Sequence, residues 1–452
     1  MLKSCSVLQY FGRGNSDCGY CHTSSTNITI GAHAHILPAV SYEEMMFAGW
    51  RRCGSYLYKF VMSDTCCPAY TIRLPIKDFH LHRSQRKILR SMHLFLKSDI
   101  RSNKEFIKKD AHPTKIRVTI SETENPNCKL ADNPNLSSNC VLKLKKTSKA
   151  RYKRYISSRE KKLLKMSEED VDLAFLRRKR SRIENNRPKG LDELLQFSGV
   201  DWKHSLTFRL LRCHDKANKE IIKTEFELYK KYQSNIHLDD EDDITITSFS
   251  RFLVVTNLES STRDGSLEKP CRGAFHLQYW IDHKLVAVSV LDILPTSISS
   301  VYFFYDPAYE FLRLGSYSVL REIQLSREYA EKHFPGLEYF CLGFYIHSCQ
   351  KMCYKAKFCP TYLLCPVNLS WHKFDSIKPH LDKSEYSVFG ENSLLPPVDI
   401  NLLNIFFLDS VMPFSVYSTL SSSGDETRNE LQEVANHLGP NAIKYVIIFR
   451  QN

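Results

Sequence analysis

The 452-residue sequence lacks any uninterrupted apolar stretch of about 20 residues, the length that a membrane-spanning helix requires. Its N-terminal stretch is also too polar to resemble a secretory signal. The apolar and charged fractions, 42% and 25%, are those of an ordinary globular protein. We therefore expect neither a membrane span nor secretion, and the chain length predicts two or more domains.

Two motifs of nucleophile and nucleotide chemistry are also missing. The sequence has no Gly-x-Ser-x-Gly elbow and no Walker loop. Acetyl-CoA binding needs a glycine-rich turn before a helix, whereas the turn that begins at Arg313 offers only Gly315. We therefore expect no ATP and no acetyl-CoA as cofactor, and we interpret Ser316 and Ser318 as helix caps.

The chain contains fifteen cysteines, an odd number, and they are spread along the sequence. This usage favours free thiols and a metal site over a disulfide framework. Cys18 and Cys21 form a Cys-x-x-Cys motif, and Cys66 and Cys67 form a second pair before Pro68, which favours a bend. Four thiolates suit tetrahedral zinc or an iron–sulfur cluster. The alternative is a set of buried free cysteines.

Positive charge is concentrated in one segment. Residues 101–190 contain 25 Lys and Arg against 11 Asp and Glu, a net +14, so the rest of the chain carries −1 of the total +13. This excess favours a polyanionic partner. The alternative is a solvated charged linker, because residues 120–150 are rich in Asn, Ser and Lys.

Alternating apolar residues predict three β-strands within residues 273–307, with a hairpin turn at 282–284. A side-chain period of two places His276, Gln278 and Trp280 on one face of the first strand. Polar side chains on an apolar strand need partners, and a ligand is one candidate. The pattern also predicts further elements, namely helices at 84–96, 191–195, 225–232 and 315–334 and a strand at 338–346. These elements support the α+β class.

Several sequence blocks resemble those of the arginyl-tRNA–protein transferases, in the same order along the chain. They are Cys18-Gly-Tyr-Cys21, Gly49-Trp-Arg-Arg52, Cys66-Cys-Pro68, the strands at 273–307, Leu320-Arg-Glu-Ile323 and the stretch from Gly343 to Lys355. Long motifs in a fixed order are more specific than any single short pattern. The resemblance implies a fold, a reaction and a set of site residues.

The resemblance implies a mixed-sheet fold of the GNAT type, which N-acetyltransferases share with transferases that use aminoacyl-tRNA. The expected segments are an N-terminal thiolate-bearing domain at 1–100, a basic tRNA-contacting segment at 101–190 that is partly disordered or helical, a GNAT-like transferase domain at 191–375 and a C-terminal extension at 376–452. The family's N-terminal cysteine motif is associated with zinc or iron–sulfur binding, which favours a metal at Cys18, Cys21, Cys66 and Cys67.

The implied reaction transfers L-arginine from arginyl-tRNA to the N-terminal α-amine of acceptor proteins that begin with Asp, Glu or oxidised Cys. The ester is already activated, so the enzyme needs positioning and oxyanion stabilisation rather than a covalent nucleophile. The product is a signal for the ubiquitin–proteasome N-degron pathway. We expect a cytoplasmic protein, and the basic cluster at 177–182 suggests the nucleus as a second location.

We assign His276, Gln278 and Tyr279 to holding the amine and the ester oxygen, and Asp292 to binding the α-ammonium or the guanidinium of arginine. Asp306 is an alternative for that last role. Cations in the matching motifs are expected to bind the acidic acceptor residue or, instead, the tRNA backbone. The expected substrate-binding residues are Arg51, Arg52, Tyr56, Asp306, Arg321, Lys351, Tyr354 and Lys355. For each residue the alternative is a satisfied interior polar group or core packing.

The chain departs from the family pattern at Cys53, Leu277, His283, Ala356 and Tyr362. Leu277 alternates away from His276, which predicts a core position. The departures leave a shifted acceptor preference or reduced activity open. One alternative function is therefore a catalytically weak metal-thiolate protein that binds tRNA on the same scaffold, and a second is an acetyl-CoA-dependent N-acetyltransferase.

The charge distribution predicts that tRNA binding weakens steeply as salt is added, because cations on the protein displace counterions from phosphates. Deletion of residues 101–190 should flatten the plot of log affinity against log salt concentration. Filter binding of labelled tRNA at several salt concentrations measures both slopes. An unchanged slope would remove this segment from the tRNA-binding surface.

Overall fold

The computed structural model describes residues 4–101, 157, 189–196, 201–213, 219–259, 271–390, 397–421 and 425–450. Within these residues the strands are β1 (Ser6–Ser16), β2 (Asn27–Pro38), β3 (Arg51–Cys53), β4 (Tyr56–Phe60), β5 (Tyr70–Pro75), β6 (Leu206–Arg212), β7 (Leu258–Glu259), β8 (Gly273–Ile281), β9 (Lys284–Ile293), β10 (Ser297–Tyr305), β11 (Tyr339–Tyr345), β12 (Tyr362–Leu364), β13 (Trp371–Lys373), β14 (Asn404–Phe407), β15 (Ser410–Pro413) and β16 (Val446–Phe449). They form two mixed sheets, and the chain is of the α+β class.

The α-helices of the described residues are α1 (Ala39–Phe47), α2 (Arg83–Ser98), α3 (Leu191–Leu195), α4 (Lys219–Tyr232), α5 (Ile246–Phe249), α6 (Leu314–Lys332), α7 (Gln350–Cys353), α8 (Phe374–Leu381), α9 (Phe414–Leu420) and α10 (Asp425–Ala442). Helix α10 is interrupted at Gly439, whose φ of 74° lies in the left-handed region. Among the described residues, no helix combines the length and the apolar character needed to cross a membrane.

The first sheet joins the two ends of the chain. Its strand order is β15-β14-β16-β1-β2-β4-β3, and β7 pairs separately with β2. Strand β1 is antiparallel to β2 but parallel to β16. Helices α1, α9 and α10 supply buried residues to the core of this sheet, including Met45, Phe414 and Leu431. The C-terminal segment therefore completes a sheet that begins at the N-terminus.

The second sheet has the order β13-β12-β5-β11-β10-β9-β8-β6, so the N-terminal strand β5 lies between two strands from the far half of the sequence. The long helices α2 and α6 bury residues such as Leu89 and Leu320 in the core of this sheet. Residues 1–109 and 190–452 form one compact unit. Segments predicted as separate domains thus share sheets, while the domain boundaries themselves stay predictions.

Strands β10 and β11 are the parallel neighbours in the second sheet, and they pair over only three residues. The pairing runs from Ser297 opposite Tyr339 to Ser299 opposite Cys341. Beyond this point β10 has an irregular register against β9 between Ser300 and Tyr302. Gly343 in β11 has a φ of 71°, outside the range of regular strand. The two strands therefore stop pairing in the middle of the sheet, and we call this place the sheet opening.

Buried polar contacts connect the two sheets. The Arg52 guanidinium in β3 donates to both carboxylate oxygens of Asp292 in β9, with an Nε–Oδ2 distance of 2.8 Å, and neither side chain is more than 1% exposed. Glu43 in α1 accepts hydrogen bonds from the backbone N–H of Thr296 and the hydroxyl of Ser297 at 3.0 and 2.7 Å. These contacts fix the first sheet against the edge from which β10 begins.

The structure confirms most of the predicted elements. Helix α2 and the strands β8, β9 and β10 lie where the sequence patterns put them, and both turn residues Asp282 and His283 adopt positive φ. The predicted caps were wrong, because α6 already begins at Leu314 and Ser318 lies inside it, where its hydroxyl bonds the Gly315 carbonyl. The predicted loop at 120–150 lies outside the described residues, as does the basic cluster at 177–182.

The pairing of Arg52 with Asp292 predicts a large stability effect when one partner is removed, because the remaining charge stays buried and unpaired. The variant Arg52→Met should lower the free energy of unfolding by about 3–5 kcal/mol. The matched control is Arg13→Met, which breaks the exposed pair of Arg13 with Asp64 and should change stability little. Denaturant unfolding measures both, and equal effects would contradict a structural role for the buried pair.

Candidate functional site

Four cysteines converge from two loops of the first sheet. The loop between β1 and β2 carries Cys18 and Cys21, and the loop between β4 and β5 carries Cys66 and Cys67. The backbone N–H of Cys66 donates to the Thr26 carbonyl at 3.1 Å and joins the two loops. All four Sγ atoms lie within 4.8 Å of one another. The sequence-predicted thiolate cluster is therefore assembled in the structure.

This thiolate cluster fits a tetrahedral metal. Zinc–sulfur bonds of about 2.3 Å require sulfur–sulfur distances near 3.8 Å, and the Sγ atoms of Cys21 and Cys66 are 3.5 Å apart. Cys66 and Cys67 lie at a bend before Pro68, which lets neighbouring side chains point to one centre. The Thr23 hydroxyl, 2.8 Å from Cys21 Sγ, lowers the pKa of that exposed thiol to about 6. The donor set suits zinc and iron–sulfur clusters alike.

His276 and Gln278 belong to a buried network on one face of β8. Glu225 in α4 accepts hydrogen bonds from His276 Nδ1 and Gln278 Nε2, both at 2.6 Å. His276 Nε2 lies 3.1 Å from the Leu253 carbonyl oxygen, and Gln278 Oε1 accepts from the Trp280 indole at 2.9 Å. Both neighbours of the imidazole can only accept, so both ring nitrogens donate and His276 is an imidazolium.

The electrostatics of this network agree with that protonation state. Burial alone would lower the pKa of His276, but the Glu225 carboxylate and Cys213 raise it well above its usual value. His276 and Gln278 are 3% and 0% exposed. With every polar group engaged inside the chain, these two side chains have no atom left for an amine or an ester oxygen. The structure shows that they join β8 to α4, and their contact with substrate stays a prediction.

The two predicted aspartates are also engaged by residues of the chain. Arg52 is the bidentate partner of Asp292 in the structure. The same pairing engages the guanidinium of Arg52, which was predicted to bind substrate. Asp306 accepts from Lys231 Nζ at 2.6 Å, from Lys284 Nζ at 2.8 Å and from the backbone N–H of Ala308. Burial would raise the pKa of Asp306, but the two ammonium groups lower it. Asp306 thus caps a short helix at 307–312.

Two cations meet at the sheet opening. Arg51, 6% exposed, donates through its guanidinium to the carbonyls of Met46, Trp50 and Gly343, and its Nε has no hydrogen-bond partner among the described residues. Lys355 Nζ donates to the Phe344 carbonyl at 2.8 Å. Within the described residues no carboxylate forms an ion pair with either side chain.

The local environment of Lys355 disfavours its charge. Burial and the nearby Arg51 lower the pKa of Lys355 to about 7. A Cβ added at Gly343 would lie 3.9 Å from Lys355 Nζ and 3.7 Å from the Ser300 carbonyl, so these groups surround one point of the opening. The guanidinium of Arg51 also lies 5.0 Å from the centre of the Phe344 ring. An anionic ligand at this point would offset the charge of both side chains.

A buried carboxylate lies beside β9 and β10, on one side of the opening. Glu322 in α6 is 0% exposed, and its Oε1 accepts from the Ser289 hydroxyl at 2.6 Å. The Ser289 hydroxyl is also 3.3 Å from the Tyr279 hydroxyl. Burial raises the pKa of Glu322 to about 7. Tyr279, predicted as catalytic, is therefore part of a polar group centred on Glu322.

The other predicted substrate-binding residues have different surroundings. Tyr354 precedes Lys355, and burial followed by the charge of Glu322 raises its pKa. The Arg321 guanidinium lies 4.5 Å from the Phe208 ring centre. Lys351 is exposed. Tyr56 packs against Phe11 on the first sheet, with ring centres 6.3 Å apart, and has no described contact with the opening.

Sequence reasoning missed the two glutamates that organise the site. Glu225 was visible only as part of a helical pattern, and nothing in that pattern indicates a partner 51 residues away. Glu322 lies within a block that carried the family resemblance, which was the available signal. Leu277 is 2% exposed in the core, so its predicted position is confirmed.

The thiolate cluster packs near a sheet opening that carries two cations and a buried carboxylate. Two family models match the chain: arginine-tRNA-protein transferase, N terminus, at residues 16–87, and arginine-tRNA-protein transferase, C terminus, at residues 224–365. These ranges contain all four cysteines, both glutamates and the cations of the opening.

Curated relatives agree with the family models. An arginyl-tRNA–protein transferase 1 of Drosophila melanogaster is 35% identical, covering 90% of each chain, and an arginyl-tRNA–protein transferase 2 of Arabidopsis thaliana is 32% identical over 86% of this chain and 78% of the relative. An aspartate/glutamate leucyltransferase of Campylobacter jejuni is 39% identical over 90 residues, 20% of this chain and 35% of the relative. The chain belongs to the arginine-tRNA–protein transferase family and is a transferase.

The geometry of the thiolate cluster predicts that metal content depends on these four cysteines. The variant Cys18→Ser should lose most bound zinc or iron, because one ligand of four is removed. The matched control Cys53→Ser alters a thiol outside the cluster and should keep its metal. Elemental analysis of purified protein provides the ratio of metal to chain without reference to activity. Full metal content in Cys18→Ser would contradict the assignment.

Proposed function

We propose that the protein transfers L-arginine from arginyl-tRNA to the N-terminal α-amine of acceptor proteins that begin with Asp, Glu or oxidised Cys. The observation that carries the acceptor class is the pair of cations, Arg51 and Lys355, which lack a carboxylate partner in the described residues. A buried positive charge without a partner is unfavourable, and an acidic acceptor side chain supplies the missing anion. The name of the Campylobacter relative, an aspartate/glutamate leucyltransferase, supports the same class.

The reaction is an aminolysis of the aminoacyl ester. The neutral acceptor amine attacks the ester carbonyl, a C–N bond forms, and the C–O bond to the tRNA ribose breaks. The amine gives up a proton and the tRNA hydroxyl takes one, so atoms and charges balance. An α-amine has a pKa of about 7.7–8.0, so a useful fraction is already neutral near pH 7. Because the ester is activated beforehand, neither ATP nor acetyl-CoA is needed.

The sheet opening is where we place this reaction. The parallel strands β10 and β11 pair over only three residues, which supports the GNAT-like sheet that the resemblance implies. The Lys355 ammonium near Gly343 is a candidate donor to the oxyanion of the tetrahedral intermediate. Residues 101–190 would hold the tRNA backbone through their charge.

The proposal extends to the biological consequence of transfer. An N-terminal arginine is a degradation signal in the ubiquitin–proteasome N-degron pathway, so the proposed product marks the acceptor for destruction. Such a role belongs to the cytoplasm, with the nucleus as a second location. The thiolate cluster packs against Phe344 and Ile346 at the end of β11, so a zinc ion or iron–sulfur cluster held there would stabilise the neighbouring opening.

The test measures transfer of labelled arginine from charged tRNA to two peptides that differ only in an N-terminal Asp or Asn. Preference for Asp, the charged isostere, is the expected result. In Lys355→Met we expect the KM for the Asp peptide to rise about tenfold, the loss of roughly one ion pair in a partly buried site, while the KM for arginyl-tRNA stays unchanged. Equal labelling of both peptides would refute the acidic acceptor site. No labelling with intact tRNA binding would favour the catalytically weak tRNA-binding alternative.

The lowered pKa of Lys355 adds a pH signature to the same test. Lysine is cationic below its pKa and neutral above it, so the preference for Asp over Asn should decline as the pH rises through 7. The matched variant Lys355→Arg keeps its charge at every accessible pH and should show a flat preference. The same decline in both proteins would assign the titration to another group.

A further inference from the structure

Glu322 is a buried carboxylate with one oxygen unused. It lies in the third turn of α6, with its side chain covered completely by the sheet. Its Oε1 accepts from Ser289, whereas Oε2 has no hydrogen bond of normal geometry among the described residues, although the Ser300 and Ser318 side chains lie close enough to offset part of the rise in its pKa. A carboxylate offers about four acceptor positions, and leaving them empty in the interior is costly. An oxygen that neighbouring hydroxyls approach without forming a full hydrogen bond is available to a stronger donor.

The other buried carboxylates of the described residues do not share this feature. Asp292 is bound through both oxygens by Arg52, and Asp306 binds two lysines. Both oxygens of Glu225 accept from the His276 network, and both oxygens of Glu43 accept from Thr296 N–H. Glu322 is thus the described buried acid whose acceptor capacity is visibly incomplete.

The surroundings of Glu322 suit a cation with a flat, delocalised charge. Tyr279 and Tyr317 have ring centres 6.4 Å apart, and the Tyr279 hydroxyl shares Ser289 with the carboxylate. The charge of Glu322 contributes to the raised pKa of Tyr354, which places the carboxylate near a third aromatic ring and near the segment that carries Lys355. Aromatic faces and a carboxylate together favour guanidinium, which stacks on rings and donates in a fork.

The charges around the opening are divided by sign. Arg51 and Lys355 lie by Gly343 in β11, whereas Glu322 contacts Ser289 in β9. An anionic acceptor side chain is attracted to Arg51 and Lys355 and is repelled by Glu322. The arginyl group that an arginyltransferase transfers carries a guanidinium, which is attracted only to Glu322. Opposite charges would therefore bring donor and acceptor to the two sides of one reaction centre.

We propose that Glu322 binds the guanidinium of the arginyl group on the donor tRNA and thereby selects arginine as the residue to be transferred. This inference rests on the proposed function and adds to it the residue that recognises the donor side chain. Ser289 holds the carboxylate through Oε1 and leaves Oε2 to the ligand. Binding of a guanidinium also keeps Glu322 ionised, although burial favours its neutral form.

The experiment compares one tRNA charged with arginine and with citrulline, the neutral isostere in which one guanidinium nitrogen is replaced by oxygen. Transfer to the Asp peptide is measured as kcat/KM for each donor, with the full-length wild type and with Glu322→Gln. The wild type should prefer arginyl-tRNA by about 100-fold, the range expected for a desolvated charged hydrogen bond. Glu322→Gln should lose most of that preference, because its kcat/KM should fall much further with the arginyl donor than with the citrullyl donor.

The donor preference of the wild type and its change in Glu322→Gln decide the outcome. A wild-type ratio near one overturns the proposal without any variant, since no carboxylate would then be reading the guanidinium. Equal loss with both donors in Glu322→Gln would assign Glu322 to folding or to proton transfer, and this also overturns the proposal. The unfolding midpoint and the affinity for uncharged tRNA identify a misfolded variant. If Glu322→Gln is misfolded, Ser289→Ala replaces it, because this change removes only the hydroxyl that donates to Glu322 Oε1. Ser289→Ala should lower the preference for arginyl-tRNA over citrullyl-tRNA by several-fold.

Failure of this inference is distinguishable from failure of the proposed function. If the wild type transfers arginine to the Asp peptide and Glu322→Gln keeps the full discrimination, only the role of Glu322 is lost. If the wild type transfers from neither donor, the proposed function itself has failed.

Discussion

The buried ion pair between Arg52 and Asp292 is the contact on which the arrangement of the site depends. It links β3 of the first sheet to β9 of the second across 240 residues of sequence. Two fully desolvated charges are tolerable only when each satisfies the other through both hydrogen bonds. Because Arg51 is the neighbour of Arg52, the same pair fixes the backbone from which Arg51 reaches Gly343 at the sheet opening.

The polar residues of the second sheet divide into those that are satisfied within the chain and those that are not. His276, Gln278 and Glu225 form a closed network in which every described polar atom has a partner. At the opening, by contrast, Arg51 Nε and Glu322 Oε2 lack partners among the described residues. Networks of the first kind hold elements in place, and groups of the second kind are available to ligands.

Much of the local structure could be predicted, because it depends on neighbours in sequence. Alternation of apolar residues predicted β8, β9 and β10, and a helical period predicted α2 and α6. The four cysteines were predicted as a cluster because only a few chemistries use close thiol pairs. The contacts of His276 and Asp292 were not predictable, since their partners, Glu225 and Arg52, lie far away in sequence and on other elements.

The sequence by itself determined the α+β class, the thiolate cluster, the basic segment at 101–190 and the family, since all of these are written in composition, spacing and ordered motifs. Only the tertiary structure decided which polar side chains are already satisfied and which remain open. Burial and distance settle that question, and neither is a local property of the chain. Glu322 illustrates the difference, because its position in a motif indicates relevance, whereas its unpaired oxygen inside the folded sheet indicates what it can bind.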